Sequence, residues 1–303
     1  MTDIAIENRN ESENFDEPFT ATEEQHAKLR TLRNYLNGLG KVAVAFSAGV
    51  DSTFLLWVAH QTLGPNALAI TARAATFPQR ERGEAETFCK QHGIRHIAFD
   101  STEMENEAFT ANHVERCYIC KKDIFNRLIS IAGENGFDHV AEGSNKDDEG
   151  DFRPGFRAIS ELGVLSPLRI ANLTKRDIRD LSRELGVPTW SKPSYACLAS
   201  RIPYGERITR EALRMADEAE QCLLELGFHD VRVRVCGNTA RIEVSPVDFH
   251  RILKDDVRGK IVAGMKNAGF DYAALDLVGY RTGSMNETLT ADESAMGLAV
   301  APN

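Results

Sequence analysis

Apolar residues recur at Leu29, Leu32, Leu36 and Leu39, the spacing of one helical face, and the run stops at Gly40. This spacing predicts a helix over 25–39. Residues 41–46 form a short, nearly unbroken apolar run, the pattern of a strand buried in a parallel sheet. Helical spacing returns over 52–63, a strand pattern over 67–72, helical spacing over 79–92 and a strand pattern over 95–99. A helix over 121–135, a strand over 139–142 and a helix over 174–185, closed by Gly186 and followed by Pro188, continue the alternation. Strands alternating with helices of this length predict an α/β domain with a parallel sheet.

The rhythm changes past residue 200. A long helix over 209–226 has Thr209 as its N-cap and Gly227 as its stop. Apolar and charged residues alternate over 231–235 and 240–244 around Gly237-Asn238, which is a hairpin signal. A helix over 247–268, broken near Gly259, and a strand over 273–278 complete the series. The order α-β-β-α-β predicts a smaller C-terminal α+β domain. The expected organisation is an acidic tail (1–24), a parallel-sheet domain (25–204), a small α+β domain (205–282) and a second tail (283–303).

Charge sharpens this division. The chain has 303 residues and a formal net charge of -9, and the excess of acid sits at its ends. Residues 1–24 hold eight acids against the single base Arg9, and 283–303 hold three acids and no base. Both segments lack spaced apolar residues, which predicts disorder. The body between them is close to neutral. It neither excludes anionic ligands nor marks a surface that tracks a nucleic-acid backbone, so a nucleic-acid partner is not expected. No stretch nears the ~18 successive apolar residues of a membrane span. Residues 1–14 lack the apolar core of a signal peptide. The expected class is a cytoplasmic enzyme with no membrane partner.

Candidate chemistry begins at Ser47-Ala48-Gly49-Val50-Asp51-Ser52, between the first strand and its helix. A helix N-terminus presents unpaired N–H groups and partial positive charge, so it attracts anions. Gly49 admits a phosphate close to the backbone, and the hydroxyls of Ser47 and Ser52 can donate to its oxygens. Asp51 would repel a bare phosphate, so a carboxylate here points to a bridging Mg²⁺. Neither the Gly-x-x-x-x-Gly-Lys-[Ser/Thr] loop nor the Gly-x-Gly-x-x-Gly fingerprint occurs. The hexapeptide resembles the Ser-x-Gly-x-Asp-Ser motif of the PP-loop ATP pyrophosphatases, with Ala48 where glycine is commoner.

The cysteines form a second signal. Cys117-Tyr-Ile-Cys120 opens a helix beside Lys121 and Lys122, where a thiolate is expected to ionise readily. Cys197 stands alone in a segment reading Lys192-Pro-Ser-Tyr-Ala-Cys197-Leu-Ala-Ser200-Arg201. Three thiolates can hold three irons of a [4Fe–4S] cluster and leave the fourth open, while a zinc site usually takes a fourth protein ligand. Cys89, Cys222 and Cys236 sit within helix or strand patterns and read as packing residues. Arg232 and Arg234 lie two apart on a strand, hence on one face, as a phosphate clamp or as the exposed side of the hairpin.

Taken in order, several segments resemble one branch of the PP-loop superfamily, the LarE-type ATP-dependent sulfur transferases. They are residues 47–52, Arg116-Cys-Tyr-Ile-Cys-Lys121, Glu142-Gly-Ser-Asn145 with Asp147, Asp148 and Arg153-Pro-Gly155, Ser166-Pro-Leu168, residues 175–179, and Cys197-Leu-Ala-Ser-Arg-Ile-Pro-Tyr-Gly205. The resemblance implies a PP-loop domain of the adenine nucleotide alpha hydrolase-like fold over 25–204. It implies a role in building the nickel-pincer nucleotide cofactor of lactate racemase, by turning carboxylates of a pyridinium mononucleotide into thiocarboxylates. The carboxylate is adenylated by ATP with loss of pyrophosphate, and a sulfur nucleophile then displaces AMP. Ser47, Gly49, Val50, Asp51 and Ser52 are implied to bind ATP and Mg²⁺, with Thr71, Ala72 and Arg73 on the adenine side. Lys121, Ser200, Arg201, Glu220, Arg232 and Arg234 are implied to lie on the substrate side. Cys117, Cys120 and Cys197 together imply the [4Fe–4S] type, with the sacrificial type, in which Cys197 gives up its own sulfur, as the alternative. Other nickel-pincer biosynthesis proteins are implied as partners, and a homo-oligomer as the state. A tRNA thiolation enzyme and a non-catalytic ATP-binding zinc protein are the competing readings.

Overall fold

The computed structural model describes residues 19–148, 154–193, 197–281 and 283–285. Most of both expected tails, and Arg153, therefore lie outside the described residues. The first helix, α1 (Glu23–Leu39), begins two residues before the start expected at 25. Thr22 sets its start: its hydroxyl accepts from Gln25 N–H (3.3 Å), and the Gln25 side chain accepts from Thr22 N–H (2.8 Å). Ala21 is buried and donates its N–H to Glu184 (2.6 Å). Ordered chain thus reaches into the acidic segment at 19–24.

The alternation continues through β1 (Val42–Ala45), α2 (Val50–Leu63), β2 (Ala67–Arg73), α3 (Glu84–Gln91), β3 (Arg95–Asp100), α4 (Glu107–Thr110), α5 (Arg116–Glu134), β4 (Val140–Ala141), α6 (Pro154–Glu161), α7 (Pro167–Ile170) and α8 (Lys175–Glu184). The strands pair in the order β3-β2-β1-β4, all parallel. Val42, Ala43 and Val44 of β1 are fully buried, as the unbroken apolar run requires. Leu32, Leu36, Phe54 and Leu181, from α1, α2 and α8, pack on one face of the sheet. Leu128 and Ile131 of α5 and Ile159 of α6 pack on the other. The first unit is thus an α/β sandwich of three layers.

A second, smaller sheet follows α9 (Arg210–Glu225) and consists of β5 (Val231–Cys236), β6 (Thr239–Val244) and, after α10 (Phe249–Ile252) and α11 (Asp255–Asn267), β7 (Tyr272–Leu275). The expected hairpin pairs β5 antiparallel to β6, and β7 adds parallel to β6 at the edge. The core beneath this sheet takes Leu213 and Leu223 from α9 and Met265 from α11. It also takes Phe109, Leu198 and Ile202 from earlier in the chain, so the Cys197 segment is packed against this second sheet.

Further expectations differ in detail, the last strand among them, which runs over Tyr272–Leu275 and not to 278. The helix expected over 79–92 is split, because Gly83 sits at φ +84°, a left-handed turn, and only Glu84 onward is α-helical. The helix expected from 121 starts at Arg116, which puts Cys117 and Cys120 in its first turns. The break expected near Gly259 falls instead at Leu253-Lys254, where Lys254 is extended, and Gly259 lies inside α11. No helix among the described residues is long and apolar enough to cross a membrane.

Candidate active site

At the carboxyl end of β1 the chain turns through residues 46–49 into α2. Gly49 is the N-cap, and no side chain caps the helix. The two serines of the loop bond to each other: Ser47 N–H donates to Ser52 Oγ (3.3 Å), and the hydroxyls lie 3.0 Å apart. Ser52 Oγ also donates to the Gly49 carbonyl (3.3 Å). Ala48 holds φ +55° and is buried. A methyl group in that region costs on the order of 1–2 kcal/mol, which accounts for the commoner glycine at this position of the motif.

The motif segments at 142–148, 166–168 and 175–179 converge on this loop. Asp51 accepts from Asn145 Nδ2 (3.2 Å) and pairs with the Lys175 ammonium. Lys175 N–H in turn donates to Asp147 (2.8 Å), and Asn145 N–H donates to Asp148 (2.9 Å). Glu142 is buried and holds the Ser144 hydroxyl (2.6 Å) and the Ser166 hydroxyl (2.6 Å). Lys175 thus stands at the carboxylate where the sequence suggests Mg²⁺. Its pairing was not legible, because 124 residues separate the two groups.

Gly143 makes the closest approach. A Cβ built there would fall 2.9 Å from Ser52 N and 3.2 Å from the Asp51 carbonyl carbon, both backbone atoms. Gly143→Ala is therefore expected to push against the first turn of α2 and to cost about 1–3 kcal/mol, the range for overpacking a tight contact. Chemical denaturation alongside ATP-binding calorimetry checks this, with both stability and ATP affinity falling.

At the end of β2, the Thr71 hydroxyl donates to the Phe46 carbonyl (2.8 Å), just before the phosphate loop. Its only proton is thereby committed, so His96 Nε2, 2.9 Å away, must be the donor to Thr71 Oγ1. Burial holds the His96 pKa down, consistent with a neutral ring protonated on that nitrogen. Arg73 is exposed and bonds its cross-strand neighbour Asp100 (2.8 Å), and Ala72 lies between Thr71 and Arg73 on the strand. Thr71 therefore braces the loop entry.

Beside the phosphate loop lies a cavity of about 670 Å³ lined by Ala48, Thr53, Arg80, Glu84, Thr189 and Lys192, among others. This volume falls in the range of small-molecule sites. Lys192 Nζ donates to the Ala48 carbonyl (3.1 Å) and pairs with Glu84. Thr53 Oγ1 and Thr189 Oγ1 are buried without a hydrogen-bond partner among the described residues. Arg80 links this cavity to the small unit, with a guanidinium nitrogen 3.4 Å from Asp217 and another 4.0 Å from Glu220. Lys192 and Arg80 were not singled out by the sequence.

Asn112 brings the three cysteines to one region. It is fully buried at φ +59°, a conformation asparagine tolerates. Its Nδ2 donates to the carbonyls of Pro203 (2.7 Å) and Glu206 (2.7 Å), and its own carbonyl accepts from Gly205 N–H (3.1 Å). This one side chain ties the entry of α5 to the segment after Cys197. Leu198 N–H donates to the Thr76 carbonyl (2.9 Å), which fixes that segment from the other side.

Cys117 and Cys197 are exposed and Cys120 is half-buried. Desolvation pushes the Cys120 thiol well above its ordinary range, and repulsion from Cys197, Glu103 and Cys117 adds to it. This corrects the expectation that a helix start beside two lysines would make it ionise readily. Lys121 lies over the Phe156 ring (5.2 Å), and Lys122 bonds Tyr118 and Glu161. Surrounding protein and Cys117 also raise the Cys197 thiol, while Arg116 and hydrogen bonds from Ala199 and Thr76 pull it back. Among the described residues, no three His, Cys, Asp or Glu side chains converge closely enough to hold a metal ion.

Of the residues expected on the substrate side, Ser200, Arg201, Glu220, Arg232 and Arg234 come together, while Lys121 lies against Phe156. Arg201 is fully buried and grips Glu220 with two bonds (2.6 and 2.9 Å), and it donates to Ser200 Oγ (2.7 Å). Glu220 also accepts from Val233 N–H (3.1 Å). Arg234 grips the buried Glu243 in the same way (2.9 and 3.0 Å) and donates to the Ser200 carbonyl (2.5 Å) and Ser284 Oγ (2.7 Å). Arg232 differs. Its guanidinium contacts the Val231 carbonyl (2.7 Å) and the Tyr280 ring and hydroxyl, with no carboxylate pair among the described residues. Desolvation, then the neighbouring Arg201, lowers its pKa. Arg232 and Arg234 share a face, as alternation predicts, but only Arg232 has charge left to offer an anion.

Comparison with known proteins gives the context of this site. No protein-family model matches the chain. It is 41% identical over 264 residues to an uncharacterized protein of Synechocystis sp., covering 87% of this chain and 98% of the relative. It is 36% identical over 269 residues to the pyridinium-3,5-bisthiocarboxylic acid mononucleotide synthase of Lactiplantibacillus plantarum, covering 88% of this chain and 97% of that synthase. More distantly, it is 25% identical over 177 residues to a subunit of the glutamine-hydrolyzing GMP synthase of Thermoplasma volcanium, covering 54% and 56% of the two chains.

Proposed function

The chain belongs to the LarE-type family of ATP-dependent sulfur transferases within the PP-loop superfamily, and from that premise we propose that it inserts sulfur into the carboxylates of a pyridinium dicarboxylate mononucleotide. A substrate carboxylate oxygen attacks the α-phosphorus of ATP, the bond to the bridging oxygen breaks, and pyrophosphate leaves. The resulting acyl-adenylate has AMP as its leaving group. A sulfur nucleophile attacks the carbonyl carbon, the bond to AMP breaks, and a thiocarboxylate remains.

The observation that carries this reading is the path from the phosphate loop to the small sheet. Ala48 of the phosphate loop and Thr53 of α2 line one end of the cavity, beside Ser47, Gly49, Val50, Asp51 and Ser52 in the chain, and Lys192 and Lys175 bring positive charge to the loop. Arg80 reaches from the cavity wall to the Arg201–Glu220 pair, and Arg232 lies beyond that pair. ATP fits the loop end and a phosphorylated substrate fits the arginine end. Mg²⁺ is assigned to Asp51, where it would neutralise the phosphates in concert with Lys175. Cys117, Cys120 and Cys197 stand in one region, near enough for Cys117 to act on the other two thiols, and a set of three soft sulfur donors suits iron–sulfur chemistry. We assign a [4Fe–4S] cluster to Cys117, Cys120 and Cys197, where it would supply transferable sulfur.

Release of AMP and pyrophosphate that depends on both ATP and the pyridinium substrate tests the adenylation step. No release with any pyridinium carboxylate would sink the assignment. A companion prediction concerns Arg232. Arg232→Ala should raise KM for the phosphorylated substrate by about tenfold or more, the worth of one charge-assisted contact. Its melting temperature should stay near that of the unaltered chain, because no ion pair is broken. An unchanged KM removes Arg232 from the substrate site.

A further inference from the structure

Residues 74–82, between the end of β2 and α3, form a strap that joins the two units. Ala75 packs against the core of the small sheet. The Thr76 carbonyl accepts from Leu198 N–H (2.9 Å), and Gln79 N–H donates to Asp217 (2.8 Å). Arg80 adds charge to these contacts, with guanidinium nitrogens 3.4 Å from Asp217 and 4.0 Å from Glu220. Asp217 and Glu220 stand three apart on α9, hence on one face, and both are buried. Two buried carboxylates on one helix face call for matching cations. Arg201 takes both oxygens of Glu220, and Arg80 brings a second positive charge to the pair.

Arg80 also lines the cavity that Ala48 of the phosphate loop lines. Arg201, on the far side of Glu220, donates to Ser200 Oγ (2.7 Å) and to the Cys197 carbonyl (3.3 Å). A chain of charged contacts therefore runs from the cavity wall through Arg80, Glu220 and Arg201 to the backbone of Cys197. A guanidinium is a planar fork of five donors, so it can hold carboxylates on one edge and an anion on another. We propose that Arg80 is a positioning residue that sets the Cys197 segment against the bound nucleotide. Phosphate in the cavity fixes Arg80, Arg80 fixes Glu220, and Glu220 fixes Arg201 and the Cys197 backbone. Sulfur attack depends on this alignment, since a misplacement of about 1 Å can cost on the order of 10²-fold. Acyl-adenylate that sulfur does not reach is attacked by water at its carbonyl carbon, the bond to AMP breaks, and the carboxylate returns. The proposal rests on reading the cavity as the ATP site.

The test follows hydrogen exchange by peptide mass spectrometry in the full-length chain, with Mg²⁺ and α,β-methylene-ATP, which cannot release pyrophosphate. The variants are Arg80→Gln, and Arg80→Gln combined with Asp217→Asn, which removes one charge of each sign together. In the unaltered chain the nucleotide should slow exchange about threefold or more in the phosphate loop, in 198–201 and in α9. In both variants the slowing should stay in the phosphate loop. The double variant separates positioning from packing, because it should melt near the unaltered chain while Arg80→Gln alone melts lower. In turnover, each variant should form about tenfold less thiocarboxylate per AMP released, whereas a destabilised protein would lose both in proportion. Slowing that still reaches 198–201 and α9 in the double variant overturns the proposal. So does an unchanged ratio of thiocarboxylate to AMP, or slowing confined to the phosphate loop in the unaltered chain. Failure of the underlying reading is distinct, because the nucleotide would then leave exchange in the phosphate loop itself unchanged.

Discussion

Cys197→Ala is expected to abolish thiocarboxylate formation while substrate-dependent pyrophosphate release continues. The structure separates the two steps. Adenylation needs the phosphate loop and the cavity beside it, and neither takes anything from the Cys197 sulfur. The backbone of Cys197 keeps its structural work after the substitution, since its carbonyl accepts from Ser200 Oγ (2.7 Å) and Arg201 (3.3 Å). Only the thiol is lost, at an exposed position, so the fold should survive. Removing a group that acts in bond formation commonly costs about 10³-fold or more. Product analysis by mass spectrometry, paired with a pyrophosphate assay, reads both steps in one sample. Loss of pyrophosphate release in this variant would show that Cys197 serves the first step or the fold.

Asp51→Asn should give the opposite pattern, with both steps lost together. Asp51 is the anchor for Lys175 and Asn145 beside the phosphate loop. The amide keeps a hydrogen-bond acceptor but removes the charge that holds Lys175 and that would hold Mg²⁺. Removing one such preorganised electrostatic group costs on the order of 10²–10³ in kcat. Stability should change little, because both side chains are partly exposed, at 22% and 29%, and such pairs contribute modestly. The check is a pyrophosphate-release assay with titrated Mg²⁺ beside a thermal melt. Rescue by high Mg²⁺ would point to weakened metal binding, and its failure to lost positioning of Lys175.

The parts legible in the sequence were those carried by local pattern. The runs that became β1 and β2 are apolar because both faces of the sheet are covered there. The phosphate loop was legible because the chemistry requires small and hydroxylated residues at adjacent positions. The rest depended on distant partners. Arg201 meets Glu220 and Arg234 meets Glu243 across elements, so a reading of spacing could place them on faces but not pair them. The Asn112 hub has no local signature, because its left-handed backbone and its carbonyl partners exist only once α4, α5 and the 202–206 segment have met. Gly259 misled for an energetic reason. A glycine inside a helix costs about 1 kcal/mol, and burial of Ile261 and Met265 on the same helix outweighs it.

The most direct test of the account is the mass of the nucleotide product. Anaerobically reconstituted protein is incubated with ATP, Mg²⁺, sulfide and the pyridinium dicarboxylate mononucleotide. The account predicts product in which sulfur replaces carboxylate oxygen, formed over several turnovers per protein molecule, with iron and acid-labile sulfide bound to the unaltered chain. Product limited to a single turnover, with the Cys197 side chain stripped of its sulfur, would contradict the cluster assignment, and a nucleotide of unchanged mass would contradict sulfur insertion itself.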